Sequence, residues 1–203
     1  MELFISKLIG SIIQLLLFSI LPFFWWLFTA RKKCSFFQWI GLWKGERKKS
    51  SKLFLWTAGI FVGFLAVSIF ILFLVQGTAT AASEFTGLGA QALPSILIYA
   101  FFHTSLPEEL LFRGFLLKRL SAKFGFTAGN TIQALLFGLL HGVMFFSLVN
   151  TGTAVLIILF TGGIAWCMGW LNETKAGGSL LPSWFIHGLS NTFSGICAAF
   201  SIL

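Results

Sequence analysis

Residues 101–120 read FFHTSLPEELLFRGFLLKRL. The run is apolar enough for a membrane-spanning helix, yet it places Glu108, Glu109 and Arg113 within six residues. A charge near the bilayer centre costs roughly 2.5 kcal/mol or more. Three of them require an interior site or an internal pairing. Adjacent helix positions differ by about 100°, so Glu108 and Glu109 point in different directions. Glu109 and Arg113 are four apart, share a face and can pair. That pairing leaves Glu108 as the free carboxylate. Ten residues separate it from Lys118, about 15 Å of helix, which puts it near mid-bilayer. Pro107 withdraws a backbone donor and favours a kink one turn earlier.

The chain around this stretch has the composition of a polytopic membrane protein. Of 203 residues, 57% are hydrophobic and 10% charged, against about half and a quarter in soluble domains. At about 20 apolar residues per span, the chain forms about six helices in a single all-α integral membrane domain, 1–203, with its polar site inside the membrane core. The spans are expected near 8–28, 53–75, 95–117, 127–148, 154–171 and 180–202. The first is too long for a signal-peptide core and lacks a cleavage pattern, so it reads as uncleaved.

The net charge of +8 is unevenly placed. Eight of the 14 basic residues lie between Arg31 and Lys52. Such a cluster beside membrane spans is an orientation signal and a contact for anionic lipid, not a nucleic-acid surface. The positive-inside rule puts this loop in the cytoplasm and both termini outside, as expected of a multi-pass protein of the cell membrane. Cys34, Cys167 and Cys197 show no CxxC spacing, which argues against a structural disulfide or a thiolate zinc site.

Two later spans carry the remaining polar groups. His141 lies in FGLLHG, with Phe137 four residues earlier on the same face. His187 lies in LPSWFIHGLSN, with Asn191 one turn on. Taken singly, each could be a helix-to-helix hydrogen bond. Together they offer two chemistries. A carboxylate and an imidazole can activate water, with a second imidazole and an amide holding an oxyanion. Alternatively, Glu108, His141 and His187 form a three-ligand zinc set with an open position. His103 lies off the face of Glu108 and reads as structural. Neither HExxH nor a phosphate-binding loop is present.

The motifs PEELLFRGFL, FGLLH and HGLSN resemble, in order and spacing, the Glu-Glu-x-x-x-Arg, Phe-x-x-x-His and His-x-x-x-Asn motifs of the CPBP intramembrane proteases, also called the Abi or CAAX-protease-like family. The resemblance covers about 95–200, and the short chain looks like the bacterial kind. It implies an intramembrane endopeptidase acting on a membrane-associated peptide or protein. Glu108 and His141 would activate water, and His187 and Asn191 would stabilise the oxyanion. Glu109, Arg113 and Phe137 would support the site. The family is usually described as metalloprotease, so Zn2+ held by Glu108, His141 and His187 is one expectation and metal-free water activation the other. The competing class is a non-enzymatic membrane protein of the same fold, such as a scaffold or a bacteriocin self-immunity protein.

Overall fold

The computed structural model describes residues 1–43 and 51–202. Much of the basic loop assigned to the cytoplasm, including Lys44, Arg47, Lys48 and Lys49, lies outside the described residues. Among the described residues every long element is a helix. The order is α1 (Glu2–Thr29), α2 (Phe36–Ile40), α3 (Ser51–Leu74), α4 (93–124), α5 (Phe126–Phe145), α6 (Thr151–Trp170) and α7 (Leu181–Ala199). Two short 3₁₀ turns, Ser83–Phe85 and Gly89–Ala92, lead into α4.

Four helices are long and apolar enough to cross a membrane: α1, α3, α5, and α6 with its extension to Lys175. The other two expected spans, α4 and α7, hold the Glu108–Arg113 and His187–Asn191 motifs, while Phe137 and His141 lie on α5. α1 and α3 keep little of their surface inside the protein. Leu16 and Phe54, for example, point outward into the apolar surround, as lipid-facing positions should.

Helix α4 is one rod that changes winding twice. Tyr99–Ser105 and Leu110–Leu117 are π-wound, and the α-wound turn Leu106–Glu109 lies between them. The first change has a local cause. Pro107 has no N–H, so the carbonyl of His103 loses its usual donor. Leu106 N–H instead reaches back to the Phe101 carbonyl. The Thr104 hydroxyl donates to the carbonyls of Tyr99 (3.1 Å) and Ala100 (3.2 Å), and Ser105 Oγ also donates to Ala100. These hydroxyls occupy carbonyls that the wider winding loosens. The expected kink thus takes the form of a π segment, a device common at functional sites.

Helices α5 and α6 pack closely because Gly138 and Gly142 form a GxxxG step. A Cβ on Gly142 would sit 2.1 Å from Ile158 Cγ1, and one on Gly138 would sit 2.4 Å from the Ile158 carbonyl oxygen. Polar ties reinforce the pair. Asn130 Nδ2 donates to the Trp166 carbonyl at 2.9 Å, and Gln133 Nε2 to the Ala165 carbonyl at 3.3 Å.

Three boundaries differ from the sequence expectation. Helix α4 continues past residue 117 to Phe124 and stops at Gly125, whose φ of +82° suits glycine. Asn150 is not a free turn: its side chain caps α6 by accepting the Thr153 N–H at 3.0 Å. Asn172 is not in an exposed polar link. It is fully buried in a π-wound extension of α6, Leu171–Lys175. This extension is tied to α4 and to the start of α7, since Lys118 Nζ reaches both Glu173 Oε1 and the Gly178 carbonyl at 2.9 Å. The small helix α2 was not expected. Its capping box, Ser35 with Gln38, is legible in the sequence. It is stapled to α7 by Leu180 N–H on the Gly41 carbonyl (2.9 Å) and Ser179 Oγ on the Trp43 carbonyl (2.7 Å).

Candidate active site

The fold brings Glu108 of α4, His141 of α5 and His187 of α7 to one place. Glu108 Oε2 is 3.7 Å from His187 Nε2 and 4.0 Å from His141 Nε2. These gaps are too long for direct hydrogen bonds and match polar atoms that share one bridging oxygen. Glu108 Oε2 is buried and has no direct hydrogen-bond partner.

Both imidazoles are oriented from behind. His141 Nδ1 lies 2.9 Å from the Phe137 carbonyl, one turn earlier on the same helix. His187 Nδ1 lies 3.1 Å from Glu109 Oε1. A carbonyl and a carboxylate can only accept, so each Nδ1 carries the proton in the neutral ring. Each Nε2 then presents a lone pair toward Glu108.

Glu109 and Arg113 are both fully buried, and Arg113 Nη1 is 3.1 Å from Glu109 Oε1. The expected pair therefore forms, but its geometry is that of an ion pair without aligned hydrogen bonds from the guanidinium. Arg113 also stacks on the Phe137 ring, 4.3 Å from its centroid. Glu109 does more than neutralise Arg113, since it also holds the far nitrogen of His187. The two adjacent carboxylates thus address the same imidazole from opposite sides. Ser183 Oγ donates to Glu109 Oε2 at 2.6 Å, and Asn172 Nδ2 donates to Ser183 Oγ at 2.7 Å. Neither Ser183 nor Asn172 stood out in the sequence. Serine and asparagine are common, and only folding brings positions 109, 172 and 183 together.

Phe137 sits among these groups. Its ring centroid is 4.3 Å from that of His141 and 6.1 Å from that of His187. Its supporting place was legible from the four-residue step to His141. Asn191 shares the face of His187 and donates through Nδ2 to Thr104 Oγ1 at 2.8 Å. A longer contact of 3.4 Å runs from the same nitrogen to Ser105 Oγ. His103 stays apart, stacked on Tyr99 with centroids 5.9 Å apart.

A cavity of about 180 Å³ adjoins these residues. His141, His187 and Asn191 form its polar side, and Phe64, Ile71, Phe145, Ile157 and Met168 form apolar walls. Leu72 and Ser194 also line a larger cavity of about 470 Å³, of mixed polar and apolar lining, near the 75–86 turn.

The donor chemistry suits zinc: two imidazole nitrogens with free lone pairs and one carboxylate oxygen. Ligands about 2.0–2.1 Å from a tetrahedral zinc stand about 3.3 Å apart. The separations here are wider, and among the described residues no three such groups close on a common centre as they stand. The set fits zinc in kind and would need to contract by several tenths of an ångström.

The chain is an all-helical membrane protein in which a carboxylate and two imidazoles converge between the helices. The sequence model of the type II CAAX prenyl endopeptidase Rce1-like family matches residues 90–193, just over half of the chain, and the chain belongs to that family. No curated protein and no solved structure matches it.

Proposed function

We propose that this protein is an intramembrane endopeptidase that hydrolyses a peptide bond in a membrane-associated peptide or protein. The observation that carries this reading is the convergence of Glu108 Oε2 on the unprotonated Nε2 atoms of His141 and His187, at 4.0 and 3.7 Å. A water bridging Glu108 Oε2 to either imidazole can lie about 2.8 Å from both of its partners. Glu108, free of the Arg113 ion pair, takes a proton from it as general base. The water oxygen attacks the scissile carbonyl carbon, and the carbonyl electron pair moves onto its oxygen. Collapse of this tetrahedral species breaks the C–N bond. Glu108 returns the proton to the departing amine, leaving a carboxylic acid and an amine with no covalent enzyme intermediate.

The oxyanion falls to His187 and Asn191. His187 can donate from Nε2 while it holds the water proton passed on by Glu108, 3.7 Å away, with Glu109 behind Nδ1 stabilising that charge, and the same proton returns through Glu108 to the departing amine. Asn191 places one amide proton on Thr104 at 2.8 Å, and the second, held only by the 3.4 Å contact to Ser105 Oγ, can turn to the oxyanion. If zinc is resident, Glu108, His141 and His187 are the residues that would hold it. Bound there, it would polarise the carbonyl and acidify the water. The apolar walls of the cavity suit a substrate segment delivered from the bilayer. Membrane lipid at the basic loop, the cytoplasmic placement of that loop and outward-facing termini belong to the same proposal.

The test is cleavage of an internally quenched, prenylated CAAX peptide by the detergent-purified protein. Glu108→Gln, His141→Ala and His187→Ala should each remove activity while the protein still purifies as a monodisperse species. Cleavage by Glu108→Gln at the wild-type rate would overturn the assignment. Peptide binding without any turnover by the wild type would favour the scaffold reading.

A further inference from the structure

We infer that Ser183, oriented by Asn172, is a positioning residue that fixes which ring nitrogen of His187 carries the proton. The inference rests on the reading of the site given above, and its first test is independent of turnover.

Glu109 is fully buried and has two oxygens to satisfy. Oε1 faces His187 Nδ1 and Arg113 Nη1, each at 3.1 Å. Oε2 receives the Ser183 hydroxyl at 2.6 Å. A serine hydroxyl has one proton and two lone pairs, and Ser183 has a second acceptor within reach, the Leu180 carbonyl at 3.1 Å. Asn172 bears on that choice. Its Nδ2 can only donate, and it does so to Ser183 Oγ at 2.7 Å. With a lone pair engaged there, the hydroxyl is polarised and its proton is held best by the nearer, charged carboxylate.

Asn172 itself is held by the fold. It lies in the π-wound end of α6, and the next residue, Glu173, is pinned to α4 through Lys118 at 2.9 Å. The chain Asn172–Ser183–Glu109–His187 therefore links three helices through a fully buried route. Its effect is directional. With Oε2 saturated by Ser183, the carboxylate plane is fixed and Oε1 is aimed at Nδ1. The ring proton stays on Nδ1, and Nε2 keeps its lone pair toward Glu108. Without the hydroxyl, Glu109 can turn toward Arg113, whose guanidinium nitrogens lack aligned acceptors. His187 then loses its anchor and both tautomers become accessible.

Ring-¹⁵N spectra of histidine-labelled, chelator-washed protein in detergent test this directly. The His187 signal is assigned by its loss in His187→Gln. Wild type should show the Nδ1-protonated tautomer. Ser183→Ala should show a tautomer mixture, and Ser183→Thr, which keeps the hydroxyl, should restore the wild-type pattern. A His187 signal in Ser183→Ala identical to wild type overturns the inference, as does loss of the tautomer in Ser183→Thr with the fold intact.

Kinetics with the same quenched peptide supply the second arm. Ser183→Ala and Asn172→Ala should each lower kcat about 10-fold or more with KM within about twofold. The double variant should be no worse than Ser183→Ala alone, because both act through one carboxylate. Additive losses, or losses confined to KM, count against the inference. Turnover by Glu108→Gln would sink the hydrolase reading while leaving the spectroscopic result standing.

Discussion

At the scale of single residues, Glu108 and Glu109 are neighbours with opposite duties, and substitution should separate them. Glu108 Oε2 has no direct hydrogen-bond partner, so Glu108→Gln breaks no pair and, under the proposed mechanism, removes the base. Activity should fall by about 10²-fold or more, and the thermal midpoint should hold. Glu109 is the sole acidic side chain paired with buried Arg113 among the described residues. Glu109→Gln leaves that guanidinium uncompensated, which costs about 3–5 kcal/mol. Its thermal midpoint in detergent should drop sharply. Equal stability of the two variants would contradict this division. The division was half legible in the sequence. The four-residue step from Glu109 to Arg113 announced the pair and singled out Glu108. The second contact of Glu109, to His187 seventy-eight positions away, depends on how α4 and α7 meet, and local spacing carries no record of that.

At the scale of elements, the GxxxG step on α5 sets how deeply His141 sits. Alanine at Gly142 meets the Ile158 side chain, whereas alanine at Gly138 meets the Ile158 carbonyl. Each should destabilise by about 1–3 kcal/mol. Ile158→Ala should relieve the first and leave the second unchanged, and thermal unfolding of the four variants checks both. The helices themselves were legible because apolar runs of span length leave few alternatives in a membrane. The π winding of α4 was legible only as a disturbance around Pro107. Which hydroxyls fill the loosened carbonyls depends on Thr104 and Ser105 donating to backbone acceptors of their own helix while accepting from Asn191 of α7, and local spacing does not record that choice. Asn172 was misplaced for a related reason. A polar residue at the end of an apolar run reads as loop until a buried partner, here Ser183, accounts for it.

At the scale of the whole molecule, the sidedness of the basic loop yields a direct test. Cys34 lies just after Arg31, Lys32 and Lys33 and is partly exposed. With Cys167 and Cys197 replaced by alanine, a membrane-impermeant maleimide should leave Cys34 unlabelled in intact cells and label it after permeabilisation. Labelling of intact cells would invert the orientation. The polar spans α4 and α7 lie against the apolar helices, so the molecule shields its costliest helices with its cheapest ones. That arrangement explains why composition alone pointed to a membrane protein while the site needed three separate motifs to locate it.

The double change of winding in α4 also bears on how this protein can vary in length. A π turn is an α turn with one residue added. Removing a single residue from Tyr99–Ser105 would let the segment rewind as an ordinary helix and improve its local backbone bonding. Because the residue removed is the extra one of the π turn, the helix beyond it would keep its rotational phase and Glu108 would stay aimed at both imidazoles. Loops of this chain can gain or lose residues without touching the chemistry. In this one rod a π turn absorbs an added residue in the same way, widening the winding locally without turning the helix beyond it.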